Sequence, residues 1–247
     1  MSAERMKILR MLQEGKITVE DASRLIEAIE GPARVQLERR PEPRHNPGSD
    51  PDEKVGRQGF DFKRFNYQGA NLHGAKLEGA QLEGANLEGA NLQGADLRDA
   101  DLRNTNLTGA NLHDADFHGA NLQGANLEGA DLHDVDFHGL NLQGVNFEGT
   151  NLHGAALEGA RLEGVTLTGA NLHDANFRNA NLQKANLTGA NLMDANFEGA
   201  DLEGASLEGA NLQDSDFQGA DLRGVDLTGT NLAGFKYQGG SLEEIKS

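Results

Sequence analysis

The 247-residue chain is 37% hydrophobic and 5% aromatic, has no Cys and no Trp, and carries a formal net charge of −17. The lack of Cys excludes a disulfide framework and a thiolate metal site. No apolar run reaches the ~18 residues of a spanning helix, and the excess acid excludes the basic surface that direct nucleic-acid binding needs.

The charge is unevenly placed. Residues 1–59 hold 11 acidic and 11 basic side chains, and residues 60–247 hold 28 acidic and 11 basic, so the whole excess falls in the second part. Basic proteins, or proteins that themselves bind DNA, are the partners such a surface suits. The opening Met1-Ser2-Ala3-Glu4-Arg5 lacks the apolar stretch of a signal peptide, and the expected location is cytoplasmic.

Residues 1–31 read as a helical hairpin. Met6, Leu9 and Leu12 form one stripe that stops near Gly15, and Thr18-Val19-Glu20-Asp21 opens a second helix in the manner of a capping box. Leu25, Ile26 and Ile29 give its apolar face, and Gly31-Pro32 ends it. So short a segment rarely buries enough surface to fold alone, so docking or self-pairing is expected. The run from Met6 to Ala22 (Met-Lys-Ile-Leu-Arg-Met-Leu-Gln-Glu-Gly-Lys-Ile-Thr-Val-Glu-Asp-Ala) resembles SHOCT-like helical modules. That resemblance implies a role in oligomerisation or recruitment. Residues 32–59 hold all five prolines among charged residues and read as an extended linker.

From residue 60 the pattern changes. Leu, Phe or Tyr stands at every fifth position from Phe62 to Leu242, without a slip. The common unit is Ala-Asn/Asp-Leu-x-Gly, as in Ala85-Asn86-Leu87-Glu88-Gly89. An α-helix would scatter a period of five around its axis, and a plain strand would need a period of two. The period fits a chain that turns a corner every five residues, with Leu or Phe and the Ala inward and Asn/Asp, x and Gly outward. Residues 60–244 resemble the pentapeptide-repeat family on these units. The resemblance implies an all-β solenoid, a right-handed quadrilateral β-helix of about nine coils at ~4.8 Å per coil. Residues 60–247 are assigned to it. Phe60, Phe62, Phe65 and Tyr67 at one end, and Phe235 and Tyr237 at the other, read as plugs over exposed ends.

A 20-residue coil makes columns. One inward column is Leu77, Leu97, Phe117, Phe137, Leu157, Phe177, Phe197 and Phe217. The corner glycines Gly69, Gly89 and every twentieth residue to Gly229 imply a backbone conformation, or a close approach, that disfavours a side chain. Val135, Leu140, Val145 and Thr150 replace small inward Ala through one coil, and Ala156, Arg161 and Thr166 follow outside. That bulk predicts a wider coil.

An outward column carries His73, His113, His133, His153 and His173 beside an acidic corner. Parallel side chains on a flat face are expected to stay solvated, so no metal site is assigned. No nucleophile–base pair stands out, so no catalytic or cofactor-binding residue is assigned and no enzyme activity is expected. The residues expected to meet a partner are Asp114, Asp116, His118, Asp134, Asp136, His138, His153, Asp174, Asp194, Asp214 and Asp216.

The resulting expectation is a non-catalytic, acidic, rod-like scaffold for protein–protein interaction. Homo-oligomerisation would use residues 1–31 or an end coil. The second expectation follows from the resemblance: some family members mimic DNA toward gyrase and other type II topoisomerases and give quinolone resistance. Its physical support is the acid density of the repeat, about one carboxylate per ~1.6 Å against ~1.7 Å per charge in duplex DNA.

Overall fold

The computed structural model describes residues 66–238. The expected hairpin, the linker, Phe60, Phe62 and Phe65 lie outside the described residues.

Each unit makes one corner and one rung. At the corner, the residue after Gly donates its N–H to the carbonyl of the Leu or Phe three residues earlier, from Ala70 to Tyr67 at 2.9 Å through Phe235 to Leu232 at 3.2 Å. The third residue of that turn has φ near +60°, as in a type II turn. At the rung, one residue pairs in parallel with the residue 20 positions on, from Asn66↔Asn86 to Asp216↔Lys236. Four units therefore complete a coil, and the chain is a β-solenoid whose straight pieces are a single bridge long.

The two inward positions fill the interior. The column from Leu97 to Phe217 is at most 1% exposed at every member, and the Ala between corners are buried with it. Three buried hydroxyls enter the Ala columns, as does the part-buried Thr230, and each donates to a backbone carbonyl. Thr105 donates to Leu82 O at 3.0 Å, Ser215 to Leu212 O at 2.6 Å, and Thr150 to Phe147 O. At the C-terminal end Phe235 lies against Phe217, 5.0 Å away and tilted by 43°, with Tyr237 beside it, and both pack on the core. This matches the expected plug.

The all-glycine corner is explained by conformation and not by crowding. Gly69, Gly109, Gly149 and Gly189 have φ of +63° to +66°, and a Cβ there would meet nothing within 4 Å. Elsewhere Asp or Asn takes the same turn position, as at Asp99, Asn104 and Asp114, because short polar side chains tolerate positive φ. Lys184, at φ +57°, has no such excuse.

One step of the ladder is open, where bulk was expected to widen the coil. The bridges 116↔136 and 121↔141 are absent from otherwise continuous columns among the described residues. The N–H groups of Asp114, Phe117, Gly119, Leu122 and Gly124 lack their bond to the next coil, and those of Asp136 and Asn141 lack theirs to the previous one. On either side the ladder is intact, with Leu112 to Asp131 O and Leu127 to Asn146 O both at 2.8 Å. Ala115 and Ala120, beneath Val135 and Leu140, are 5% and 7% exposed where Ala110 and Ala125 are 0% and 1%. The outward changes at Ala156, Arg161 and Thr166 leave their bridges intact.

Candidate interaction faces and the histidine ladder

Taking Asn71 as the start of a coil, the first face holds residues 71–75 and their equivalents every 20 residues. The second, third and fourth hold 76–80, 81–85 and 86–90 with theirs. The rung Asn or Asp has one task on every face and a second on two of them. Its Oδ1 accepts the N–H two residues on, as Asn86 does from Glu88 at 3.2 Å, fixing the turn that follows. On the first and fourth faces the Nδ2 of a rung Asn also reaches the Oδ1 of the coil before, as in Asn86 to Asn66 at 3.0 Å and Asn171 to Asn151 at 3.0 Å. These two faces are thus laced along the rod by amide ladders.

Charge separates by face. Every Lys and Arg among the described residues (Lys76, Arg98, Arg103, Arg161, Arg178, Lys184, Arg223 and Lys236) falls on the second or third face. There the arginines are largely spent on carboxylates. Arg98 holds Asp96 at 2.6 Å and Glu78 at 3.5 Å, Arg103 holds Asp101 at 2.6 Å and Glu83 at 3.4 Å, and Arg223 holds Asp221 at 2.7 Å and Glu203 at 2.9 Å. The hydrogen bonds from Arg98 and Arg223 keep the Asp96 and Asp221 carboxyls below the usual carboxylate range. The fourth face carries Glu88, Glu128, Glu148, Glu208 and Asp226, and the adjoining first face carries Asp114, Asp131, Asp134, Asp174, Asp194 and Asp214. Neither has a Lys or Arg among the described residues.

The expected contact residues fall on two faces. Asp114, Asp134, Asp174, Asp194 and Asp214 are exposed at the corner of the first face, each in the positive-φ turn position. Asp116, Asp136 and Asp216 are rungs of the second face, each accepting the N–H two residues on, from His118 (3.0 Å), His138 (2.9 Å) and Gln218 (3.0 Å). His118 and His138 project from that face into solvent, whereas His153 is half-buried on the first. The sequence reading missed the arginine clusters. Their signal was present as opposite charges 20 residues apart, Glu78 with Arg98, Glu83 with Arg103, Arg178 with Glu198 and Glu203 with Arg223.

The histidines of the first face form a continuous stack. Ring centroids are 5.3 Å apart for His113–His133, 4.7 Å for His133–His153 and 5.1 Å for His153–His173. The rings are not merely parallel. Nδ1 of His133 and Nδ1 of His153 approach to 3.1 Å, and Asp134 and Asp174 lie against the rings of His133 (3.1 Å) and His173 (2.8 Å).

A five-residue turn-and-rung unit, a filled core and amide-laced outer faces define a β-solenoid built for its surface. The chain belongs to the pentapeptide-repeat family: the model described as pentapeptide repeats matches in overlapping segments from residue 66 to residue 234. A SHOCT-like domain model matches residues 3–34. No curated protein matches the chain.

Among solved structures, the chain is similar to Rfr23, a pentapeptide repeat protein from the cyanobacterium Cyanothece 51142. The identity is 29% over 45% of this chain and 90% of that one, with a TM-score of 0.34. It is also similar to HetL, a pentapeptide repeat protein involved in heterocyst differentiation regulation from the cyanobacterium Nostoc sp. strain PCC 7120. There the identity is 33% over 73% of this chain and 90% of that one, with a TM-score of 0.28. A third is a trypsin-treated form of QnrB1, a plasmid-mediated fluoroquinolone resistance protein. It is 25% identical over 73% of this chain and 86% of that one, with a TM-score of 0.30.

Proposed function

We propose that this chain is a non-catalytic, cytoplasmic interaction scaffold, a right-handed quadrilateral rod of about nine coils that seats a basic protein partner on its first and fourth faces. The observation that supports this is the segregation of charge: every Lys and Arg of the described residues lies on the other two faces. A basic partner meets faces with no Lys or Arg among the described residues on one side of the rod and a partly neutralised field on the other. The core is filled by the inward columns, which leaves the outer faces as the place where the chain can act. The SHOCT-like segment, expected as a helical hairpin over residues 1–31 and joined through residues 32–59, recruits or oligomerises the rod.

Cross-linking the full chain to its captured partners tests the site. Lysines of the partner joined to Glu88, Glu128, Asp131 or Glu148 are expected, and cross-links confined to the second and third faces would sink the assignment. Removing residues 1–59 is expected to leave the rod folded and change its oligomeric state. Identical masses by light scattering would remove the segment's role.

The same charge geometry supports a second reading, mimicry of DNA toward gyrase or another type II topoisomerase. The two acidic faces carry roughly one carboxylate per 3–4 Å along the rod, near the ~3.4 Å per charge of one DNA strand. A supercoiling assay separates the readings. Inhibition of gyrase, or protection from a quinolone, at micromolar protein supports mimicry. Neither effect leaves the general scaffold.

A further inference from the structure

We infer that the histidine ladder of the first face is a divalent transition-metal site, made of two stacked three-donor clusters: His113, His133 and Asp134, then His153, His173 and Asp174. In each cluster one ligand atom from every residue lies within 4.8 Å of the others. The inference goes beyond the scaffold reading and does not depend on it.

Three observations carry it. First, the donors converge although they come from a flat face. A coil places one imidazole above another, and the turn that follows places a carboxylate at its corner. Asp can occupy that corner because it tolerates the positive φ, +57° at Asp134 and +59° at Asp174. Second, Nδ1 of His133 and Nδ1 of His153 are 3.1 Å apart, so the two nitrogens cannot both carry a proton. One of the two therefore presents a lone pair toward the other ring, and a cation can take that contact over. Third, Nδ1 of His113 and Nδ1 of His173 are shielded from solvent and make no hydrogen bond, although they lie 2.9 and 2.8 Å from carboxylate oxygens of Asp114 and Asp174. A shielded nitrogen pressed against a carboxylate without a hydrogen bond is costly as it stands. At His173 the carboxylate, Asp174, belongs to the same cluster, so a shared cation relieves the contact; at His113 the cation would draw the nitrogen from Asp114, which lies outside the first cluster.

The donor set selects the metal class. Imidazole with carboxylate suits Zn²⁺ and its neighbours Cu²⁺ and Ni²⁺, whereas Mg²⁺ and Ca²⁺ require oxygen. Each cluster supplies three protein ligands and leaves a fourth position to water or to a partner's side chain. The third acidic group on the rod, Asp201, Glu203 and Asp221, lacks nitrogen, and Arg223 already occupies it at 2.9 and 2.7 Å.

The test is a calorimetric titration of the full chain, first stripped with a chelator, with Zn²⁺ in millimolar Mg²⁺. Two equivalents of Zn²⁺ are expected. H133Q and H173Q should each remove one equivalent or weaken it at least tenfold, since loss of even an outer-shell partner costs ~10–100-fold. The double variant should lose both. H118Q and H138Q, on the next face, should bind as the unsubstituted chain does. Gln already occupies this column at Gln93 and Gln213, so the substitutions preserve the fold, which metal-free thermal unfolding checks. Zinc bound equally by H133Q/H173Q, or no zinc bound by the unsubstituted chain, overturns the site. X-ray absorption of the zinc form should show imidazole nitrogens at about 2.0–2.1 Å, and an all-oxygen shell would overturn it as well.

Discussion

Phe117 and Phe137, one coil apart in a single column, stand 5.2 Å apart with their planes tilted by 52°, whereas Phe197 and Phe217 lie 4.3 Å apart and within 18° of parallel. The difference comes from what shares the coil with Phe137. Phe147 sits 6.1 Å from it, and Val135, Leu140 and Val145 take places that Ala holds elsewhere. The rings cannot lie flat at the ~4.8 Å spacing of strands, and the ladder parts on the second and third faces, which carry Leu140 and Val145.

If that bulk holds the ladder open, trimming it should close it. L140A/V145A is expected to slow hydrogen exchange at the amides of Phe117, Gly119, Leu122 and Gly124 by about tenfold. Each regained bond contributes roughly 0.5–1.5 kcal/mol net, and ~1.4 kcal/mol is a factor of ten. Unchanged exchange at these four amides would show that the opening has another cause.

Two glycine corners that look alike in sequence should respond differently. At Gly109 an added Cβ meets open space, so G109A pays only for its φ of +63°, about 1 kcal/mol. At Gly119 the Cβ also runs into Oδ1 of Asp99 in the coil below. Asp99 is exposed and its carboxylate can rotate aside, so G119A should cost about 0.5–1 kcal/mol more, and D99G should recover most of the difference. Additivity of the two substitutions in denaturant unfolding would refute the clash.

Lys184 holds a left-handed backbone at φ +57° that favours glycine. K184G is expected to raise stability by about 0.5–1 kcal/mol, read as a higher denaturant midpoint at unchanged m-value. A lower midpoint would mean that the lysine side chain contributes more than its backbone costs.

The arginine clusters predict an acid limb. Asp96 and Asp221 have their carboxyls held low in the folded rod by Arg98 and Arg223. A depressed folded value gives stability that is complete above the unfolded value of about 3.9 and is lost as pH falls through the folded one. R98Q/R223Q should therefore lower the melting temperature near pH 6, and the gap should close as the pH falls below about 3. A gap that persists at the lowest pH would assign the arginines a packing role instead.

Much of this was legible because a period of five registers every residue. The inward columns, the corner glycines, the C-terminal aromatics and the irregular coil at Val135, Leu140 and Val145 all follow from counting by five and by twenty. What counting does not contain is side-chain direction. His133 and His153 fall in one column by arithmetic, but their 3.1 Å nitrogen contact depends on rotamers set by the neighbouring rings and carboxylates. The two acidic sides of the rod without Lys or Arg were missed for a different reason. The net charge was summed over the repeat as a whole, whereas the relevant sum runs down each face.

The open step also sets how the rod comes apart. A coil touches only its neighbours, so cooperativity passes along the axis one interface at a time. Where the bridges 116↔136 and 121↔141 are absent, that transmission is weakest. The solenoid therefore behaves as two blocks joined at a soft joint, and the joint lies beside His113 and His133, at the foot of the histidine stack.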